Sequence, residues 1–537
     1  MSRPSESPFA ITADPLRSPS ARQAAEPRVD PVPVRARELL AVAVIVVLSD
    51  LTIYRGRGFA GYAALFLASP LVIAFGAFRP RLGRATWLVG ALLALLAAKS
   101  LWCGSNLLVA CGFGLLAAFV MGLSGQAPYV AEAAVFASLA ISAGYRRLNQ
   151  YGRSAAASSA MRVSWLNLAM PLTALIVFGA LFILANPDLL ASVSEFAELW
   201  ATRIREWLLR LSLAEIAFWA ASAWIATGLL RQASGGVPAA EASDACERAA
   251  PSEPSRFYPA FRNTLATVIA LFAVYLVFEF RTLWFRKFPP GFYYSGYAHE
   301  GAAWLTFALA LATAVMSLVF RGSVLRDPRL SRLRTLGWIW SAENFVLAAA
   351  VYHRMAIYID FNGMSPMRMV GLYGMSAVVL GFILVLWKIG HARSFGWLIR
   401  RQLVALALVV YLFALTPVDA IVTFYNVRRI LAGDPAPSVQ ISVHPISAEG
   451  VLLLTPLLDC DDTIIREGIR AMLAQRDDEA QLAAQRRRER GWTAFQLADE
   501  VVANRFRAER SRWAEYQDRA LRGEALSRFH DHAYQWY

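Results

Sequence analysis

The sequence predicts an all-α fold: a multispanning transmembrane helix bundle of eleven spans, possibly twelve, followed by a small, mostly helical C-terminal soluble domain. Three observations carry this reading. Of the 537 residues, 57% are apolar and only 17% are charged, where an ordinary globular chain carries roughly 25% charge. The apolar residues gather in long runs, many close to the ~20 residues that a helix needs to cross a bilayer. The arginines collect between the runs rather than inside them.

Residues 1–37 are rich in Ser, Pro, Ala and Arg without apolar periodicity, and read as a disordered N-terminal tail. The first apolar run begins too far in for a cleaved leader. The runs of the 38–430 transmembrane domain are 39–54, 58–78, 85–102, 105–123, 127–144, 165–185, 213–230, 262–285, 301–320, 336–355, 368–388 and 399–423. Period-2 alternation of the barrel type is missing, so helices are expected. Arg146, Arg147, Arg153 and Arg162 form one basic cluster, and further clusters surround Arg231, Arg326 and Arg393. Each is two spans from the next, so all can share the cytoplasmic side. The arginines of the tail and Arg79, Arg81 and Arg84 fit only if one early run does not cross. The weakest run is 127–144, opened by Pro128 and carrying Glu132. Segment 188–211 interleaves Trp200 and Trp207 with charges at helical period and is expected in the outer interface. These choices put the N-terminus in the cytoplasm and the C-terminal domain in the periplasm.

Residues 431–537 change character. Val439, Ile441 and Val443 alternate with polar residues and predict a short strand. Asp461 or Asp462 is suited to cap a helix with Ile465, Ile469, Met472 and Leu473 on one face. A second helix from about Thr493 would turn Phe495, Leu497, Val501, Val502 and Phe506 inward. The basic run 486–490 reads as a solvated helix end.

The net charge of +14 is dispersed over the loop clusters, which speaks against a nucleic-acid partner. The four cysteines lie far apart without a CxxC pair, and no Walker loop, G-x-G-x-x-G or HExxH occurs. Neither a cofactor nor a metal is expected, and His530 and His532 read as terminal polar sequence. Gly122-Leu123-Ser124-Gly125 matches the GxSG of intramembrane serine proteases, but Ser124 and His299 belong to opposite ends of their spans, and a nucleophile needs its base within ~3 Å.

Polar residues within or beside spans are the informative ones, because burying them unpaired is expensive. His299, Glu300, Glu343, Asn344, Asp360, Asn362, Arg368, Asp419 and Asn426 form the candidate ligand-binding cluster. They line a polar chamber open to the outside, or they cap helix ends and pair with one another. Asn186-Pro187-Asp188 is a further polar site, and Glu279 and Arg281 join the outer group. Glu343 is expected to meet Arg368, for which Asp360 and Asp419 are the alternative partners.

Several stretches carry a resemblance: PLTALIVFGALFILANPD at 171–188, FAVYLVFEF and YAHEG, WIWSAENFVLAAAVYHRMAIYIDFNGMSPMR, TPVDAIVTFYNV, and LLDCDDTIIREGIRAMLA in the tail. Over residues 165–480 the chain resembles the bacterial membrane-protein family catalogued as domain of unknown function 4173, related to 4153. The resemblance implies a bacterial integral membrane protein with a soluble tail, and supplies no reaction. The first reading of function is a non-enzymatic scaffold or sensor partner of the envelope, whose partners are the lipid bilayer and a membrane or envelope protein. The alternative is a secondary transporter or permease for a small ligand, and an intramembrane enzyme comes last.

Overall fold

In the computed structural model of the chain the described residues are 35–77, 80–157, 212–231, 254–284, 294–320, 327–391 and 393–536, with isolated positions between them. Their regular structure is helical throughout. The chain enters through α1 (Ala36–Ser49), which widens into a π-helical turn at Asp50–Tyr54. There follow α2 (Phe59–Gly76), α3 (Arg84–Cys103), α4 (Asn106–Leu123), α5 (Val130–Ala157) and α6 (Leu213–Arg231). The second half comprises α7 (Tyr258–Glu279), α8 (Tyr294–Val319), α9 (Leu330–Asn362), α10 (Pro366–Gly390) and α11 (Phe395–Leu415). Among the described residues eight helices are long and apolar enough to cross a membrane: α2, α3, α4, α6, α7, α8, α10 and α11. Their starts are set locally. Ser105, Ser365 and Ser394 each accept a hydrogen bond from a backbone N–H of the first turn, which satisfies a donor that has no partner within the helix.

Large apolar side chains such as Leu71, Phe75, Trp87, Val274 and Phe307 are exposed on these helices. Such a surface is untenable in water and natural against lipid tails. Phe66, Leu93, Leu96, Leu108 and Phe136 fill the core of the first half, and Leu265, Met316, Phe320, Trp340 and Phe382 that of the second. Small residues bring the helices together: a Cβ on Gly228 of α6 would collide with the Ala140 carbonyl of α5.

The helix ends sort into two faces. On the arginine face Arg81 N–H donates to Leu123 O (2.9 Å), Arg400 pairs with Glu132 (2.5 Å), and the Arg329 guanidinium lies 4.0 Å over Tyr258. On the opposite face α2 begins, α3 ends, and α9 turns into α10. The tail is seated there: Arg57 N–H donates to Thr493 Oγ1 (3.1 Å) and Gly104 N–H to Gln496 Oε1 (3.1 Å). The tail comprises α12 (Val418–Leu431), α13 (Ser438–Val443), α14 (Ala448–Val451), α15 (Thr463–Arg490), α16 (Leu497–Glu509) and α17 (Arg519–Tyr534), with short 3-10 turns between them. Its core of Leu454, Leu457, Ile465, Ile469, Trp513 and Phe529 takes in Val427 and Ile430 of α12, ahead of residue 431.

Several expectations are corrected. The expected strand is helix α13: six residues alternating beside Pro437 fit a buried helical turn packed on α17 as well as a strand. The last apolar run is two helices, because Pro417 ends α11 and starts α12. Glu132 lies in the first turn of α5 beside Arg400, so it places no charge at mid-membrane. From there α5 runs along α6, where Trp224 Nε1 donates to Ile141 O (2.6 Å). Asp462 is the cap of α15, accepting from Ile465 N–H (3.0 Å), and Ile465, Ile469 and Leu473 are buried. In α16, Val502 and Phe506 are buried, but Leu497 and Val501 are exposed, as is Phe495 just before the helix. Residues 1–34, most of 158–211 and Cys246 lie outside the described residues.

The close α5–α6 approach gives a direct test. Gly228→Leu should lower stability by about 1–3 kcal/mol, the usual cost of overpacking, measured as a drop in Tm in detergent. Gly114→Leu, at a glycine with open space around it, should leave Tm nearly unchanged.

Candidate functional site: a polar joint between the bundle and its tail

Four polar groups gather toward the tail face, and each is built by the local chain. The first is the turn between α9 and α10. Gly363 takes φ +92°, in the left-handed region that a Cβ disfavours. A Cβ there would also meet Asn426 Oδ1 at 2.6 Å and Pro437 Cβ at 2.8 Å. Arg368, in the first turn of α10, is only 4% exposed. Its guanidinium donates to Gly363 O and Asn362 Oδ1 and stacks 3.7 Å over the Tyr358 ring. A desolvated cation over an aromatic face gains roughly 2 kcal/mol. Asn426 of α12 holds the same turn from the other side: Nδ2 donates to Met364 O and Oδ1 accepts from Met364 N–H, both at 2.8 Å. Asn362 Nδ2 donates to Trp536 O (3.2 Å). Arg429 donates to Ile359 O and Asp360 O and pairs with Asp434, while the exposed Asp360 carboxylate lies 3.8 Å from Arg429.

The second group joins α12 and α3 to the segment at α14. Asp419 Oδ2 accepts from Ser447 N–H (3.0 Å), and Lys99 of α3 pairs with Glu449. The third is a buried bidentate pair, with Arg354 Nε and Nη2 of α9 donating to Glu279 of α7 at 2.7 and 2.6 Å. Tyr275 Oη donates to the same carboxylate (2.9 Å), and Gly301 of α8 leaves the space that the Arg354 guanidinium occupies. In the fourth, Arg55 bridges Asp50 (3.1 Å) and Glu215, and Trp219 Nε1 donates to Asp50 (2.8 Å).

The structure thus unites Asp360, Asn362, Arg368 and Asn426 in one joint, with Asp419 in the adjoining group. Glu343 and Asn344 are elsewhere: nineteen residues of helix separate Glu343 from Asn362, about 28 Å at 1.5 Å per residue. Asn344 is buried and donates to Trp340 O (2.8 Å), and Glu343 is half-buried with Oε2 making no hydrogen bond among the described residues. The expected Glu343–Arg368 pair is not formed, and the described contacts of Arg368 include neither Asp360 nor Asp419. Two nearby acceptors and the Tyr358 ring occupy the guanidinium instead, and its Nε makes no hydrogen bond among the described residues. His299 and Glu300 fall near the start of α8, just before Gly301, and their side chains lie outside the described residues. Ser124 ends α4 on the arginine face, so it is separated from the start of α8 by the depth of the bundle.

Arg354, Arg429, Lys99, Asp50, Arg55 and Glu215 were not singled out in the sequence. A signal existed for the buried pair: Glu279 ends one apolar run, and Arg354 of opposite sign ends another. Among the described residues no group of His, Cys, Asp and Glu is placed to hold a metal. His530 faces Ser442 (3.1 Å) and His532 faces Asp462 (3.4 Å), so the two diverge.

The arrangement is a set of polar clamps between helices. Residues 43–454 match the family described as Domain of unknown function (DUF4153). The chain belongs to the DUF4153 family. No curated protein and no solved structure matches it. The DUF4153 match runs from within α1 to Leu454, so it contains the α9–α10 turn and α12 and stops before α15. Of the two related families that the motifs resemble, it is 4153 that is matched.

Two measurements check this account. Arg354→Met leaves the buried Glu279 with the Tyr275 hydroxyl but without its cation and should cost about 3–5 kcal/mol, whereas adding Glu279→Gln should recover much of it; Tm values of both singles and the double decide, and additive losses would refute the clamp. The second concerns His444. Burial, and next the Arg368 guanidinium, lower its pKa. The unfolded chain then takes up the proton first, near pH ~6.5, so stability is whole above that pH and falls as pH drops below it. His444→Gln should flatten the Tm change between about pH 7 and pH 5.

Proposed function

We propose that this DUF4153 protein is a non-enzymatic scaffold or sensor partner of the bacterial cytoplasmic membrane. Its N-terminus lies in the cytoplasm and its tail in the periplasm. One observation supports the reading above others: the polar residues at the tail face are used up in locking the tail to the last spans. Arg368, Asn426, Asp419 and Lys99 each hold a backbone group or a partner charge, which suits a rigid platform for an envelope protein. The orientation rests on the arginines of the opposite face, which the positive-inside rule assigns to the cytoplasm. A second reading, a secondary transporter, rests on Glu343, whose Oε2 makes no hydrogen bond among the described residues.

Complementation of a deletion strain separates the two. Under the scaffold reading Glu343→Gln restores the wild-type phenotype, and Asn426→Ala, which loosens the joint, does not. Loss of complementation by a stably accumulated Glu343→Gln protein, with Asn426→Ala active, would establish transport instead. Reporter fusions after Arg393 and after Tyr537 should read cytoplasm and periplasm, and a cytoplasmic signal at Tyr537 would reverse the orientation.

A further inference from the structure

The end of α15 and the segment after it have a task that the clamps do not explain. Gly491, at φ +78°, stops α15 and turns the chain into a 3-10 turn, Trp492–Ala494. This turn lies across the mouth of α2. A Cβ on Gly58 would meet Ala494 Cα at 2.6 Å, and one on Gly61 would touch Thr493 at 3.3 Å. Gln496 accepts from Gly104 N–H at the end of α3 (3.1 Å). Both helices are of membrane-spanning length and start or end at these residues, so segment 492–496 sits at the level of the lipid headgroups.

At that level the chain exposes what a membrane interface takes up. Trp492 is 57% exposed, and Phe495, Leu497 and Val501 are exposed beside it, although α16 already buries Ala498, Val502 and Phe506 in the tail core. Just before them, Arg486, Arg488 and Arg490 are exposed and make no ion pair among the described residues. Arg487 is taken by Asp499 and Glu500, and Arg510 by Asp477. Arg507 bonds only Asn504 among the described contacts. A groove of about 1040 Å³ places Arg488 and Arg507 in one wall system with Trp492 and Phe495. Cations in the last turn of a helix stabilise its dipole wherever the helix lies. That account leaves the exposed aromatic residues unexplained. Cations beside exposed aromatics at headgroup depth are the composition of an interfacial anchor, and arginine matches a phosphate bidentately.

We propose that the basic end of α15 and the exposed apolar residues of 492–501 bind the phosphate headgroup of an anionic phospholipid in the leaflet at the tail face. Arg488 and Arg507, which line the groove with Trp492 and Phe495, hold the phosphate, Arg486 and Arg490 on the other side of the helix end add surface charge, and Trp492 and Phe495 cover the glycerol and upper acyl region. The site draws on the seating of the tail alone and is independent of the scaffold reading.

Native mass spectrometry of the purified full chain, titrated with phosphatidylglycerol and in parallel with phosphatidylcholine, tests it. Phosphatidylglycerol should be retained preferentially. The triple change Arg486→Gln, Arg488→Gln and Arg490→Gln, at exposed positions and with Tm unchanged, should weaken retention on the order of tenfold or more, given the attraction of each near-surface cation. Arg→Lys at the same three positions should keep only the part of it that charge alone supplies, because the bidentate hydrogen bonds are lost, and Trp492→Ala should weaken both lipids. Equal retention by wild type and the Gln triple overturns the proposal. So does displacement of phosphatidylglycerol by millimolar inorganic phosphate, which would mark a free-anion site, or by an acidic peptide, which would mark a protein-docking site.

Discussion

The buried guanidinium of Arg368 is the constraint on which the tail half of the protein is built. It has no carboxylate beside it among the described contacts; a carbonyl, an amide oxygen and an aromatic ring take that place. Neutral partners satisfy a cation only through geometry, because they bring no net charge to offset its desolvation. The turn must therefore hold its shape, which requires a left-handed residue at 363 and a second chain to fix Met364. Asn426 supplies that chain, and Asn362 carries the connection on to Trp536. One desolvated group thereby brings together the α9–α10 turn, the helix after the last span and the far end of the chain.

The remaining charges obey the same rule in different ways. Glu279 and Arg354 neutralise each other with two well-aligned hydrogen bonds, and Arg55 serves two carboxylates at once. Buried pairs of this kind add little net stability, but they are costly to break, so they fix which helices are neighbours. Glu132–Arg400 does the same at the rim of the opposite face. The two faces differ in kind: the tail face is bolted by paired groups, while the arginine face keeps several cations at the surface.

The sequence made the helices legible where composition alone decides. The runs at α2, α3, α4, α10 and α11 are apolar over most of their length, with the charges of α3, α10 and α11 near the helix ends, and nothing but lipid or a core accepts them. Asp462 was readable as a cap because its side chain acts three residues away. Less local effects were hidden. Residues 438–443 carry a pattern compatible with two periods, and tertiary packing chose the helix. Phe495, Leu497 and Val501 looked like core, since apolar residues at helical spacing do not say whether protein or membrane covers them. Glu343 and Arg368 looked like partners because they are close in sequence and opposite in charge. A straight helix carries such residues apart by 1.5 Å per position, while Glu279 and Arg354, seventy-five positions apart, meet.

The continuity of α9 weighs on function. It runs from Leu330 to Asn362 without a glycine or proline after Gly337, and so has none of the usual causes of a sharp kink beyond that point. Within its last three turns it is tied twice, through Arg354 to α7 and through Asn362 to Arg368 of α10. A rocking motion that opened a path beside Glu343 would have to turn α9 against α7 or α10. It would then break a buried bidentate pair, at about 3–5 kcal/mol, together with the hydrogen bond that helps satisfy Arg368. A transporter that alternates around fixed sites places its weak contacts where the two moving bodies meet. Here buried polar contacts stand at that seam and tie the tail side of α7, α9, α10 and α12 together, which is the support the proposed platform draws from the fold.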